Sequence, residues 1–162
     1  MGKFRILCKL HKSKFGVRPI INNSNHPTSQ LCKLIDGILK PIVCKTESHL
    51  RDSQNLIQKC DALTFDTKIY LYSMDFESLY TNMDKYDVSK RITEFIAPFL
   101  DLDYIDTIAF YQIIKFIFEN NVFHYKNKFF VQVNGLAMGC ICGPTISNMY
   151  VYTLEKHWLQ LK

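Results

Sequence analysis

An uncharged stretch, residues 129–154, limits the folds open to this chain more than any other feature of its sequence. It contains three glycines at G-x-x-x-G spacing, a pattern found where membrane helices pack together: Gly135, Gly139 and Gly143. Pro144 and several amide and hydroxyl side chains interrupt the stretch, which argues against a helix that crosses a bilayer. Asn134-Gly135 predicts a turn, and Pro144 suits the first turn of a helix. We therefore expect a loop followed by a helix with one apolar face, and no membrane partner.

The composition is that of one globular domain with a basic edge. Of the 162 residues 48% are hydrophobic, which is enough for a core and unlike disordered chains. The net charge of +5 is compatible with a nucleic-acid partner. Residues 1–18 contain no acid and six basic side chains, namely Lys3, Arg5, Lys9, Lys12, Lys14 and Arg18. These predict either a surface for a phosphate-bearing ligand or a solvated basic face, and charge alone favours the second.

The six cysteines are scattered, without a C-x-x-C pair or a Cys/His cluster at zinc spacing. The N-terminus is basic and lacks the apolar core of a signal peptide. Both features predict free thiols in a reducing, intracellular compartment rather than disulfides.

Apolar periodicity predicts a mixed order of strands and helices, and therefore an α+β class. Residues 4–10 and 17–21 should pair as a hairpin with a basic tip, and residues 121–133 as a second hairpin that turns at Asn127. Residues 69–75 should form a further strand. Helices are expected from Thr28 or Ser29 to Pro41, around 53–60 with Leu56 and Ile57 buried, from Asp84 or Asp87 to Pro98, from Asp103 or Asp106, and from Pro144.

The stretch YLYSMDFESLYTNM, residues 70–83, places Asp75 at the end of the last of these expected strands. A buried carboxylate is costly unless it is paired, hydrogen-bonded or bound to a metal. Asp75 could hold Mg²⁺, which takes one or two carboxylates together with substrate phosphates. It could equally cap the following segment, and Asp75 taken alone favours that interpretation. Tyr80 could close over a sugar ring or be an ordinary core tyrosine.

The order of the motifs is more specific than any one of them. A basic hairpin with GVRPII precedes SMDFESLYTN, and an aromatic hairpin leads into QVNGLAMG. In this order the chain resembles reverse transcriptases, most closely those of Penelope-like retroelements, from about residue 4 to 154. The resemblance implies a right-hand polymerase fragment with an antiparallel palm sheet packed on helices. Residues 1–65 would be fingers-like, and residues 66–162 would be part of the palm.

The resemblance also implies a chemistry for the residues of the second motif. Asp75 would be the catalytic carboxylate and a ligand of Mg²⁺, and the backbone carbonyl of Phe76 would be a further metal ligand. Reverse transcriptases use two Mg²⁺ ions to stabilise the attacking and leaving oxygens. The expected partners are an RNA template, a DNA primer and deoxynucleoside triphosphates. A nuclear location follows from the same resemblance.

The remaining implied roles concern the incoming nucleotide. Arg18 would bind its triphosphate, assisted by Lys9 or Lys12. Tyr80 would stack under the deoxyribose and exclude a 2′-hydroxyl. The nucleotide and template pocket would be lined by Met138 and Gly139.

The chain departs from the family pattern in one respect that bears on activity. The family carries an aromatic-x-Asp-Asp motif that supplies further catalytic carboxylates, and this sequence contains no Asp-Asp pair. Smaller departures are Gly143-Pro144 in place of Ser-Pro and Ser147-Asn148 in place of Ala-Asn. We therefore expect a fragment of an RNA-directed DNA polymerase that is inactive by itself. The alternative is a non-catalytic nucleic-acid-binding remnant.

Overall fold

The computed structural model describes residues 1–9, 15–64 and 66–160, and over these it confirms the α+β class. In chain order the elements are β1 (Gly2–Cys8), β2 (Val17–Asn22), α1 (Ser29–Val43), α2 (Ser53–Asp61), α3 (Leu79–Asn82), α4 (Lys85–Leu100), α5 (Tyr104–Glu119), β3 (Val122–Tyr125), β4 (Lys128–Val131) and α6 (Gly143–Gln160). Both expected hairpins are present, β1 with β2 and β3 with β4. The second turns at Lys126 and Asn127, whose positive φ angles of 46° and 60° match the twist of a tight hairpin.

The strands form a mixed sheet in the order β2-β1-β3-β4. β1 is antiparallel to β2 and parallel to β3, with Gly2 opposite Phe123 and Lys3 opposite His124. The expectation of an antiparallel sheet is therefore wrong for this pairing. Between β2 and β3 the chain passes through α1 to α5, and a long crossover of this kind allows two parallel strands to lie side by side.

The expected strand over residues 69–75 is also wrong, because this segment has irregular backbone. Its side chains are exposed, with Leu71, Tyr72 and Met74 at 88%, 87% and 89% of full exposure. A strand requires a neighbour that pairs with its N–H and C=O groups. The part of the chain that the structure describes places no strand beside this segment. Asp75 consequently lies in an exposed loop and not at the end of a buried strand.

Four helices, α1, α4, α5 and α6, enclose the hydrophobic core. Side chains three or four residues apart on one face of each helix are fully buried, as amphipathic helices require. They are Ile35 and Leu39 of α1, Val88, Ile92 and Ile96 of α4, Ile114 and Ile117 of α5, and Ile146 and Met149 of α6. Helix α2 is present as expected, but Leu56 and Ile57 are exposed. Two adjacent apolar residues do not form the stripe that would bury a helix face.

Aspartates begin two of the core helices, as the sequence predicts. The Asp84 carboxylate accepts hydrogen bonds from the backbone N–H groups of Tyr86 and Asp87, each at 2.9 Å. The Asp103 carboxylate accepts one from Asp106 at 2.7 Å. These side chains satisfy backbone donors that have no partner within the helix.

Two prolines do not end helices where expected. Helix α1 continues past Pro41 to its last residue Val43, and α4 continues past Pro98 to Leu100. A proline removes one hydrogen bond to the preceding turn, but the residues after it can remain helical. The predicted helix ends are therefore wrong by two residues.

Candidate functional site

The β1–β2 hairpin presents one face of four side chains to a cleft. Leu7 lies opposite Arg18, and Lys9 donates its backbone N–H to the Gly16 carbonyl at 2.8 Å. Alternate residues of a strand point to the same side. Leu7 and Lys9 of one strand thus face the cleft together with Arg18 and Ile20 of the other. The hairpin side of the cleft, which we call the hairpin wall, therefore has two positive charges, Lys9 and Arg18, next to the apolar side chains of Leu7 and Ile20.

A second part of the cleft lining is formed by residues 75–78, at the end of the exposed segment. These residues are Asp75, Phe76, Glu77 and Ser78. Ser78 has left-handed backbone with a φ of 53°, and it directly precedes α3. The Asn82 side-chain amide donates to the Glu77 carbonyl at 3.1 Å, which closes the turn over α3. The carboxylates of Asp75 and Glu77, two residues apart, therefore lie just before the short helix α3.

The glycine-rich loop fixes Tyr80 from two sides. The backbone N–H of Leu136 donates to the Tyr80 carbonyl at 2.7 Å. Gly135 has a φ of 71°, and a Cβ at this position would overlap that same carbonyl oxygen. A Cβ on Gly143 would lie 3.2 Å from the Tyr80 ring. Gly135 is therefore required for the close approach of the loop to α3, and Gly143, the first residue of α6, leaves little space beside the Tyr80 ring.

The same loop also contacts the hairpin. The backbone N–H of Ile21 in β2 donates to the Met138 carbonyl at 2.7 Å. Gly139 has a φ of 113°, and a Cβ there would overlap the carbonyl oxygen of Ile21. Met138 and Gly139 line the cleft at this junction. The glycine-rich loop thereby connects the hairpin to α3, because it is hydrogen-bonded to Ile21 on one side and to Tyr80 on the other.

A single cleft of about 880 Å³ brings the sequence-predicted site residues together. Those that line it are Lys9, Arg18, Asp75, Phe76, Tyr80, Met138 and Gly139. Lys12, the remaining predicted nucleotide-binding residue, lies outside the described residues. The structure shows that these residues share one cleft, and their individual roles remain predictions.

Comparison with known families shows the family to which this chain belongs. Residues 10–162 match the family model of the reverse transcriptase (RNA-dependent DNA polymerase) domain, which covers nearly the whole chain. The chain belongs to the reverse transcriptase family. No curated protein and no solved structure matches the chain.

Membership of the reverse transcriptase family implies a nucleic-acid template, nucleotide substrates and divalent metal ions. The cleft residues fit a magnesium ion that arrives with a nucleotide, because Asp75 and Glu77 offer hard oxygen ligands beside two cationic side chains. Among the residues that the structure describes, no three acidic side chains lie close enough to share one ion. The substrate phosphates would therefore have to supply part of the coordination.

Sequence reasoning missed Glu77, which lines the cleft beside Asp75. The available signal was its position two residues after Asp75, a spacing that can bring two carboxylates to one site.

In the described chain no helix is both long enough and apolar enough to span a bilayer.

Proposed function

We propose that the cleft binds an incoming deoxynucleoside triphosphate with Mg²⁺, for RNA-templated DNA synthesis by a Penelope-like retroelement enzyme. One observation supports this most strongly. The hairpin, the Asp75 turn and the glycine-rich loop lie far apart in the sequence, yet all three line the same cleft. The fingers-like part would be residues 1–65 and the palm part residues 66–162.

Both parts of the cleft lining suit the triphosphate of such a ligand and its metal ion. Arg18 can donate paired hydrogen bonds to phosphate oxygens, and Lys9 adds a second positive charge on the same face. Asp75 and Glu77 line the same cleft as acceptors, and the carbonyl of Phe76 lies between the two carboxylates in the chain. When bound, Mg²⁺ would neutralise triphosphate charge and bridge it to these oxygens.

Tyr80 is suited to discriminate between sugars because its position is fixed. Its backbone is bonded to Leu136, and its ring lies against Gly143. Because Tyr80 is also packed against the hydrophobic core, we expect its ring to resist displacement by an additional 2′-hydroxyl group. The cleft should therefore bind deoxynucleotides more tightly than ribonucleotides.

Binding without turnover is the expected behaviour of this chain by itself. Asp75 and Glu77 are the acidic side chains among the described residues that line the cleft. Two-metal catalysis requires carboxylates that hold both ions in a fixed geometry. Purified protein with a primed template should therefore show no primer extension.

The direct test is equilibrium binding of a fluorescent deoxynucleoside triphosphate in the presence of Mg²⁺. Arg18→Ala should weaken binding about 10- to 100-fold, because a hydrogen bond to a charged group contributes roughly 1.5–3 kcal/mol. Arg51→Ala is the matched control, since it removes the same charge from an exposed site outside the cleft. Equal effects of both substitutions, or no measurable binding by the unaltered chain, would contradict the proposal.

A second function, non-catalytic binding of single-stranded nucleic acid, is favoured by the charge on β1. Lys3 and Arg5 are exposed and share the strand face of Leu7 and Lys9, so the basic wall continues beyond the cleft. Phe4 points to the other face, where its ring stacks on Phe123 at 5.4 Å between centroids. Phosphate contacts would therefore dominate over base stacking on this face.

A further inference from the structure

Three cysteines from two distant parts of the sequence meet in the interior of the molecule. The Sγ atom of Cys140 lies 3.6 Å from that of Cys32 and 3.6 Å from that of Cys142. All three sulfur atoms lie within 4.8 Å of one another, and the residues are 1%, 4% and 0% exposed for Cys32, Cys140 and Cys142. We call this group the thiol cluster. It joins the first turn of α1 to the residues that directly precede α6.

The spacing suits a metal ion held by three sulfurs. Metal–thiolate bonds are about 2.3 Å long, so three thiolates around one ion lie roughly 4 Å apart. The thiol cluster needs only a slight expansion to reach that spacing. Among the described residues no histidine, carboxylate or fourth cysteine joins the group. A closed tetrahedral zinc site is therefore incomplete here, whereas soft ions such as Cu⁺ bind to thiolates alone.

The surroundings offset the negative charge that such a site would carry. Cys32 lies in the first turn of α1, and Cys142 directly precedes Gly143, the first residue of α6. The cysteines therefore lie at the N-terminal ends of both helices, where the positive end of the helix dipole favours a negative charge. In addition, the Cys32 thiol lies 3.9 Å from the Thr28 hydroxyl, which contacts the buried His26 ring at 2.7 Å.

We propose that Cys32, Cys140 and Cys142 form a site for one soft monovalent metal ion of the Cu⁺ class, bound through three thiolates. Binding displaces the thiol protons to solvent. Buried cysteines also occur simply as small apolar side chains. Here the Cys140 sulfur contacts the sulfurs of both Cys32 and Cys142 at the starts of two helices, which packing alone does not require. Because Met138 and Gly139 precede Cys140, an ion in the thiol cluster would tie α1 to the loop that lines the cleft.

The test is anaerobic titration of the full chain with Cu⁺ against a chromogenic Cu⁺ chelator, under reducing conditions. We expect one tightly bound Cu⁺ per chain and an increase in the melting temperature at one equivalent, since an ion that binds only the folded state stabilises it. Zn²⁺ should bind much more weakly, because the cluster lacks a fourth ligand.

Matched variants separate the thiol cluster from the exposed cysteines. A variant with Cys8→Ser, Cys44→Ser and Cys60→Ser removes the exposed thiols and should retain the bound ion. Adding Cys140→Ser or Cys142→Ser to it should weaken Cu⁺ binding by at least about 10- to 100-fold, the loss typical of altering even the partners of metal ligands. Circular dichroism of each variant checks that it folds.

Several results would overturn the proposal. One is the absence of stoichiometric Cu⁺ binding by the unaltered chain. Another is loss of binding in the variant without exposed cysteines, which would place the ion at the surface. A third is Zn²⁺ affinity equal to that for Cu⁺, which would require a different coordination. If both serine variants fail to fold, the unaltered chain and the variant without exposed cysteines still decide between these outcomes.

Discussion

At the scale of single residues, Gly135 is a position where a side chain is not tolerated. Its φ of 71° and the overlap of a Cβ with the Tyr80 carbonyl both oppose substitution. Gly135→Ala should therefore lower the free energy of unfolding by at least about 1–3 kcal/mol, the usual cost of a strained backbone. Urea unfolding followed by circular dichroism measures this.

The control for that prediction is Gly37→Ala in the middle of α1. A Cβ there meets nothing within 4 Å, and alanine is the better helix former. This substitution should raise the free energy of unfolding by roughly 0.5–1 kcal/mol. Destabilisation of similar size at both glycines would show that the loop is not held as described.

Tyr150 should make the free energy of unfolding depend on pH in the alkaline range. Its hydroxyl donates to the Asp87 carboxylate at 2.7 Å, and Arg91 also bonds that carboxylate at 2.8 Å. Burial and the bond to Asp87 raise the pKa of Tyr150 from 10.0 to about 12. The folded state then holds the proton more tightly than the unfolded state, so this stabilisation is complete below pH 10 and is lost as the pH rises towards 12.

The corresponding experiment compares the unaltered protein with Tyr150→Phe over that pH range. The free energy of unfolding should fall less steeply with pH in Tyr150→Phe. The two proteins should differ most near neutral pH, where the hydrogen bond to Asp87 is intact. If the free energies of unfolding of the two proteins fell in parallel with pH, the hydrogen bond between Tyr150 and Asp87 would not be the cause of the pH dependence.

Which residues form the site could be predicted in part. Asp75, Tyr80 and Arg18 stand in motifs that resemble a family, so their convergence on one cleft was expected. The thiol cluster could not be predicted, because Cys32 and Cys140 are brought together only by the packing of α1 against the loop before α6. The spacing of residues along the sequence does not indicate contacts between segments that are distant in the chain.

At the scale of elements, the sequence predicted well those whose stabilising partners are local. The β3–β4 hairpin is set by its own turn at Asn127, and α4 by its cap at Asp84 and its own apolar stripe. Residues 69–75 have strand-like composition, but strand formation depends on a neighbouring chain segment that local pattern does not reveal. The parallel pairing of β1 with β3 is non-local in the same sense.

The exposed segment 69–76 should be the first site of proteolytic cleavage. Its backbone is irregular, and Leu71 and Tyr72 are almost fully exposed. Proteases require an accessible and locally unfolded chain. Brief chymotrypsin digestion followed by mass spectrometry should therefore find cuts after Tyr70, Leu71 or Tyr72.

Tyr104 is an internal comparison for this experiment. It is 80% exposed but lies in α5, so exposure alone would make it an equally good site. Cleavage at Tyr104 before the segment 69–76 would contradict the description of that segment as unpaired.

At the scale of the whole molecule, the positive charge is concentrated in residues 1–18, which carry six basic side chains and no acid. Affinity for a labelled single-stranded oligonucleotide should fall as salt rises, because bound counterions are released from the phosphates. Lys3→Ala combined with Arg5→Ala should reduce the slope of log K against log salt by about 0.7 for each phosphate that the protein no longer neutralises. Fluorescence anisotropy at several salt concentrations measures the slope.

Lys33→Ala combined with Lys90→Ala lowers the net charge equally on exposed helix positions and serves as the control. This pair should leave the slope unchanged. The same reduction in both double variants would mean that net charge alone, and not the hairpin, determines binding.

The parallel pairing of β1 with β3 has a consequence for the order of events during synthesis. Gly2 pairs with Phe123 and Lys3 with His124, so β1 leaves the ribosome long before its partner exists. The β1–β2 hairpin can form at once, whereas the sheet closes only after the intervening helices have emerged. Pairings between distant parts of a chain are slow to form, and exposed strand edges meanwhile invite association with other chains. For nascent chains, the unprotected edge of β1 is therefore the surface that a chaperone would need to cover.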